Sequence, residues 1–181
     1  VNWEPLVPYH NHDSLGQLAS VYLDDTKSYI KRTYDGTGVT VNGNATKHHP
    51  LKFVVCWERE CRWLEEFKNI TWMPELVEIN YDEKYTIQKY YGPDLLEQGF
   101  DKVDDIENQL LDIYKFFNKR NVYKLNGSLS NMSRNGSQLI MFDFKYMRIR
   151  SKAAREFEEY SIDTWLSKIN PNLVPKLKAL L

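Results

Sequence analysis

The period of the apolar residues changes repeatedly along this chain, and that alternation restricts it to a mixed fold. Ala19 to Leu23 and Ser28 to Tyr34 read as two strands joined by an Asp24-Asp25-Thr26-Lys27 turn, a hairpin signal. From 53 to 68 the spacing lengthens. Phe53, Trp57, Cys61, Leu64 and Phe67 recur every three or four residues, which predicts an amphipathic helix. Glu75 to Asn80 and Lys84 to Tyr90 return to strand patterning around Tyr81-Asp82-Glu83. A second helix is predicted over 103–118, with Val103, Ile106, Leu110, Ile113 and Phe117 as its apolar stripe. One strand follows at 138–143, then helix from about 153 to the end, interrupted at Pro171 and Pro175. Residues 1–13, with two prolines and no period, read as an irregular arm, and residues 35–50, rich in Gly and Asn, as a long loop. A strand-rich first half before a helix-rich second half implies two small lobes, with the break near Tyr91-Gly92-Pro93.

Composition narrows the function classes. At 181 residues the chain is most simply one domain, able to bury roughly 70% of its unfolded surface. Its 24 basic and 25 acidic side chains nearly cancel, which argues against a general nucleic-acid binder. No apolar run reaches the length of a membrane span and no signal-peptide core is visible, so the expectation is a cytoplasmic protein. Cys56 and Cys61, five residues apart, suit neither a zinc pair nor a redox pair and read as buried thiols. His10, His12, His48 and His49 lack partners at metal-ligand spacing. Five glycosylation sequons, at Asn44, Asn69, Asn126, Asn131 and Asn135, read as a by-product of Asn/Ser-rich loops.

The chemistry-bearing stretch is Lys124-Leu125-Asn126-Gly127-Ser128-Leu129-Ser130-Asn131, followed by a short apolar strand that ends in Asp143-Phe144-Lys145. An asparagine five residues into such a loop and an Asp-Phe after the next strand resemble the two Mg²⁺ ligands of the protein-kinase-like superfamily. In that resemblance Lys124-Leu125-Asn126 stands on H-R-D, so Asn126 replaces the catalytic aspartate, and Asn131 and Asp143 are the metal ligands. A second register, with Asn126-Gly127-Ser128-Leu129 on H-G-D-L, would put Ser128 at the catalytic position. It leaves Ser133, a poor Mg²⁺ ligand, at the metal spacing.

Other segments resemble the same family. The Gly-rich loop falls on Ser14 to Val21, where only Gly16 survives. Lys31, in Tyr29-Ile30-Lys31, resembles the strand lysine that contacts phosphates, and Glu60 resembles the helix glutamate that pairs with it. Tyr85 to Leu95 resembles the last N-lobe strand and hinge, with Gln88 at the gatekeeper position and Lys89 and Asp94 beside a bound nucleotide. The resemblance implies an α+β, two-lobe fold: an N-lobe sheet with one helix at about 14–91, a hinge at about 91–95, and a reduced helical C-lobe at about 96–181. It also implies ATP and Mg as cofactors. About 38 residues follow Asp143, with no A-P-E-like sequence, so a peptide-substrate site is not expected.

Two functions compete. One is a minimal kinase that transfers phosphate weakly to a small-molecule or glycan hydroxyl, because a neutral amide cannot act as the base and its loss typically costs about 10²–10⁴ in rate. The other is a pseudokinase that binds a protein or small-molecule partner. A third class, an unrelated α+β interaction domain, remains compatible with the element order.

Overall fold

A computed structural model describes residues 1–6, 19–34 and 50–181. Gly16, Ser14, the four histidines and most of the loop read at 35–50 lie outside the described residues. The chain divides into two compact units, Val1–Tyr91 and Gly92–Leu181.

The first unit is a five-stranded antiparallel sheet with one helix among its described residues. In chain order the strands are β1 (Trp3–Pro5), β2 (Ser20–Asp24), β3 (Tyr29–Thr33), β4 (Leu76–Asn80) and β5 (Tyr85–Lys89), and the helix is α1 (Pro50–Glu66). The sheet order is β1-β2-β3-β5-β4. The β2–β3 turn is held by the Asp24 carboxylate, which accepts from the backbone N–H groups of Ser28 (2.8 Å) and Tyr29 (2.7 Å) and from the Thr26 hydroxyl. This is the side-chain chemistry that makes aspartate a turn residue.

Strand β1 corrects the expectation of an irregular arm. It pairs with β2 through Trp3, Glu4 and Pro5. An edge strand tolerates proline because one row of its N–H groups needs no partner, and its mostly exposed residues leave no alternating pattern to read. Helix α1 begins at Pro50, three residues earlier than the apolar stripe suggests, because proline's missing N–H costs nothing at a helix start. Trp57, Cys61, Leu64 and Phe67 are buried as expected, and Cys56 and Trp63 join them. The Trp63 and Phe67 rings lie 5.3 Å apart, and Phe67 meets Trp72 edge-on at 6.3 Å. Burial and then the nearby Glu60 and Glu65 push the Cys61 thiol up to about 12, which leaves it an inert packing group.

The second unit is built on α3 (Ile106–Lys119), whose Ile106, Leu110, Ile113 and Phe117 are all buried. A short helix, α2 (Leu95–Gln98), precedes it, and α4 (Lys152–Thr164) and α5 (Leu173–Lys178) follow. Two small antiparallel pairs complete the unit. β6 (Val122–Tyr123) pairs with β9 (Arg148–Ile149), and β7 (Met132–Asn135) pairs with β8 (Gln138–Met141). The single strand expected at 138–143 is therefore half of a hairpin. Its two-residue turn, Gly136-Ser137, uses Gly136 at φ +62, a geometry open to glycine, and Gly-Ser with glycine first is the sequence signal for it. Pro175 does not interrupt a helix. It sits in the first turn of α5, where the N–H groups have no intrahelical acceptor anyway.

The architecture is thus α+β, a five-stranded antiparallel sheet and five helices among the described residues. Leu110 is wholly buried in α3. Leu110→Ala is expected to lower the free energy of unfolding by about 2–5 kcal/mol in urea titrations, and a loss below about 0.5 kcal/mol would place α3 outside the core.

Candidate functional site

The second unit holds the Lys124–Asn131 loop and Asp143 in one hydrogen-bonded cluster. Lys124 follows β6 and is fully buried. Its ammonium donates to Asn126 Oδ1 (2.5 Å) and to the backbone carbonyl of Asp143 (2.5 Å). The Phe144 ring centroid lies 4.9 Å from it. Asn126 Nδ2 donates to the same Asp143 carbonyl at 3.2 Å. Asn131 Nδ2 donates to the Asn126 backbone carbonyl (2.8 Å), and Phe142 N–H donates to that of Asn131 (3.0 Å). The loop and the segment after β8 are thereby bound to each other at both ends.

Two residues here occupy the left-handed region without being glycine, Leu125 (φ 69) and Asp143 (φ 64). Each such conformation costs on the order of 1–3 kcal/mol and persists only where its neighbours over-determine it. For Asp143 the two donors on its carbonyl do so. For Leu125 the partner is Glu158, whose Oε2 accepts the Leu125 N–H at 2.9 Å and whose Oε1 accepts the Tyr114 hydroxyl at 3.0 Å. Gly127 passes so close that an added Cβ would lie 2.8 Å from Tyr114 Oη, so glycine is required there for space. Burial raises the Glu158 carboxyl above the usual range, opposed by the Leu125 N–H, the Tyr114 hydroxyl and the Lys124 charge. Burial, with the Glu158 charge and hydrogen bond, holds the Tyr114 phenol well above its ordinary value.

Sequence reasoning missed Tyr114 and Glu158. A signal existed for Glu158. It falls between Ala154 and Ile162 at four-residue steps, in the inward stripe of α4, where a charge needs a reason.

Asp143 has a second tie. Lys145, which stands where D-F-G has glycine, places Nζ 2.6 Å from Asp143 Oδ2, with the two side chains only 15% and 7% exposed. This bears on the magnesium that the resemblance implies. Mg²⁺ requires oxygen donors in octahedral array, usually with one or two carboxylates. Here the one carboxylate is already ion-paired through Oδ2 and a second ammonium touches its backbone. The donor set does not fit a divalent ion as it stands.

In the first unit, the side chains of a strand alternate between faces. Arg32, not Lys31, therefore faces α1. Its guanidinium lies 3.5 Å from Glu60 Oε1, both side chains being buried. This corrects the expected pairing of Lys31 with Glu60. Lys31 lies on the opposite face with its ammonium 4.0 Å from the Tyr85 ring centroid and 6.0 Å from that of Trp3. Lys89 ends β5 on the same face as Lys31, exposed and 5.6 Å from the Tyr91 ring. Gln88 is buried on the Arg32 face and donates to Thr86 Oγ1 at 3.1 Å. Asp94 caps α2, accepting the Glu97 N–H at 2.9 Å.

A cleft of about 170 Å³ opens beside the loop, lined by Leu96, Ser128, Leu129, Ser130, Trp165 and Lys168. It is below the roughly 300–1,000 Å³ of ordinary small-molecule sites. The Ser128 and Ser130 hydroxyls, 2.6 Å apart, lie at its wall.

Solved structures share this fold. The chain superposes on the bifunctional kinase-methyltransferase WbdD with a TM-score of 0.64 at 11% identity, over 99% of this chain and 45% of that one. A second WbdD structure gives 0.61 at 12% identity, over 99% of this chain and 44% of that one. A WbdD co-crystal with the kinase inhibitor LY294002 gives 0.57 at 12% identity, over 91% and 43%. The chain spans less than half the length of the WbdD chains, and at this identity the likeness is one of fold, in keeping with a kinase-like arrangement of elements. No protein-family model and no curated protein sequence matches the chain.

Two outcomes are expected. Arg32→Ala leaves Glu60 buried without this guanidinium and should cost about 3–5 kcal/mol, whereas Lys31→Ala should cost under about 1 kcal/mol. Equal urea midpoints for the two variants would contradict the strand facing described above. For Glu158, whose folded value is raised, the native state holds the proton more tightly than the unfolded chain. Stability from this group is therefore present below the ordinary glutamate value of about 4.3 and declines as pH rises from there through the folded value. Relative to Glu158→Gln, which keeps the hydrogen-bonding shape, the wild type should lose ground over the range that starts at about pH 4.3 and runs upward. A difference that stays flat across that range would show an unshifted carboxyl.

Proposed function

We propose that this chain is a kinase-like nucleotide-binding module in which phosphoryl transfer is weak or lost. The observation that carries the reading is the state of Asn126. Its amide oxygen accepts the buried Lys124 ammonium and its amide nitrogen donates to the Asp143 carbonyl. The group that stands in the resemblance for the catalytic base is thus neutral, and both of its ends are engaged in holding the loop. Loss of a general base costs about 10²–10⁴ in rate, and an amide turned inward is also poorly placed to orient a hydroxyl.

The fold likeness to a chain that includes a kinase supports the first half of this reading, as does the arrangement of the loop, Asn131 and Asp143 around one another. The same arrangement favours a second reading, residual transfer to a small-molecule or glycan hydroxyl. Phosphoryl transfer depends chiefly on positioning and charge neutralisation, and asks little of the base.

The test is the thermal midpoint with and without ATP, joined to a turnover assay of the wild type and Asn126→Asp. Ligand at a hundred times its Kd should stabilise the protein by about 2.7 kcal/mol, a rise of a few degrees at this size. Wild-type turnover is expected to fall far below the roughly 1–100 s⁻¹ of working kinases. Asn126→Asp should raise it, by less than the full factor for a base, since Lys124 lies 2.5 Å from the new carboxylate's position. A kinase-like rate in the wild type refutes the reading; absence of any ATP-induced shift refutes nucleotide binding.

A further inference from the structure

The Asp143–Lys145 ion pair lies at the position where the kinase resemblance calls for a metal, and it deepens the reading above, on which it rests. Lys145 Nζ is 2.6 Å from Asp143 Oδ2, both side chains are largely withdrawn from water, and the Lys145 ammonium also lies 5.5 Å from the Tyr146 ring centroid. From the other side, the buried Lys124 ammonium reaches the Asp143 backbone carbonyl. Two ammonium groups therefore converge on one residue that carries one carboxylate. The other buried carboxylate of the cluster, Glu158, is engaged by the Leu125 N–H and the Tyr114 hydroxyl.

A divalent ion coordinated by Asp143 would have to displace one like charge and sit beside a second. An ammonium fixed to the chain two residues from the carboxylate has no such repulsion to overcome and loses no translational freedom on arrival. Lysine is moreover a common point-charge partner of phosphate.

We propose that the Lys145 ammonium serves as the counter-cation of Asp143 in place of magnesium, so that the chain binds nucleoside triphosphate without a divalent metal. The Asp143 carboxylate is then neutralised by the chain itself, so the phosphates meet no uncompensated anion at this position. Lys145 acts as both the plug of the metal position and a contact for the anion.

The experiment is calorimetric titration of ATP into the full chain in EDTA and in MgCl₂, for the wild type, Lys145→Gln and Lys145→Arg. Electron paramagnetic resonance of added Mn²⁺, in the presence of ATP, gives a metal-specific readout. Wild type and Lys145→Arg are expected to bind ATP equally in the two buffers, with no Mn²⁺ held at the protein beyond that carried by free nucleotide. Lys145→Gln is expected to weaken about tenfold or more in EDTA, to recover in MgCl₂, and to acquire protein-bound Mn²⁺. Wild-type binding that requires MgCl₂ overturns the inference while leaving the nucleotide reading intact, and so does a Lys145→Gln variant that matches the wild type in EDTA. Binding in neither buffer overturns the nucleotide reading, and this inference with it.

Discussion

The second unit depends on the placement of one buried ammonium. Lys124 is fully removed from solvent, and an isolated charge there would be several kcal/mol too expensive to keep. Two oxygens, from the Asn126 amide and the Asp143 backbone, meet it at 2.5 Å. Because these two lie on segments far apart in sequence, satisfying the charge joins the loop before β7 to the segment after β8. The left-handed backbones of Leu125 and Asp143, the approach of Gly127 to Tyr114, and the capture of the Leu125 N–H by Glu158 all belong to the same knot.

That knot bears directly on chemistry. In an active phosphotransferase the loop presents an unencumbered base and its neighbours present free oxygens. Here the polar atoms are turned on one another. Asn126 holds Lys124 and Asp143, Asn131 holds Asn126, and Lys145 holds Asp143. A buried hydrogen-bonded network of this kind resists rearrangement, since partial opening leaves more polar groups unpaired in a medium of low dielectric. The same bonds that hold this loop to the segment after β8 also occupy its polar side chains.

Some of this was legible in the chain. The helix stripes of α1 and α3 were, because burial of an amphipathic face leaves a period that survives without tertiary knowledge. The β2–β3 and β4–β5 hairpins were too, since turn chemistry is local. Strand β1 was not: three mostly exposed residues at a sheet edge carry no period, and their pairing partner comes from elsewhere in the chain. The β7–β8 hairpin had a signal in Gly136-Ser137 that the apolar run of β8 overshadowed. Asn126, Asn131 and Asp143 were singled out by the family resemblance, and the fold does gather them in one network. Lys31 and Glu60 were coupled by resemblance alone, and strand parity gives Glu60 the neighbouring Arg32.

By itself, then, the sequence determined the order of helices and hairpins and the residue types at the candidate site, including the amide at position 126 and the lysine at 145. Periodicity and short-range spacing are properties of neighbouring residues and need no fold to be read. The tertiary structure decided which charged groups meet: Arg32 with Glu60, Lys145 with Asp143, and Lys124 with Asn126 and the Asp143 carbonyl. Those pairings follow from which way a strand faces and how a loop closes on a distant segment. Electrostatic partners are chosen by distance and burial, and both exist only once the chain has folded.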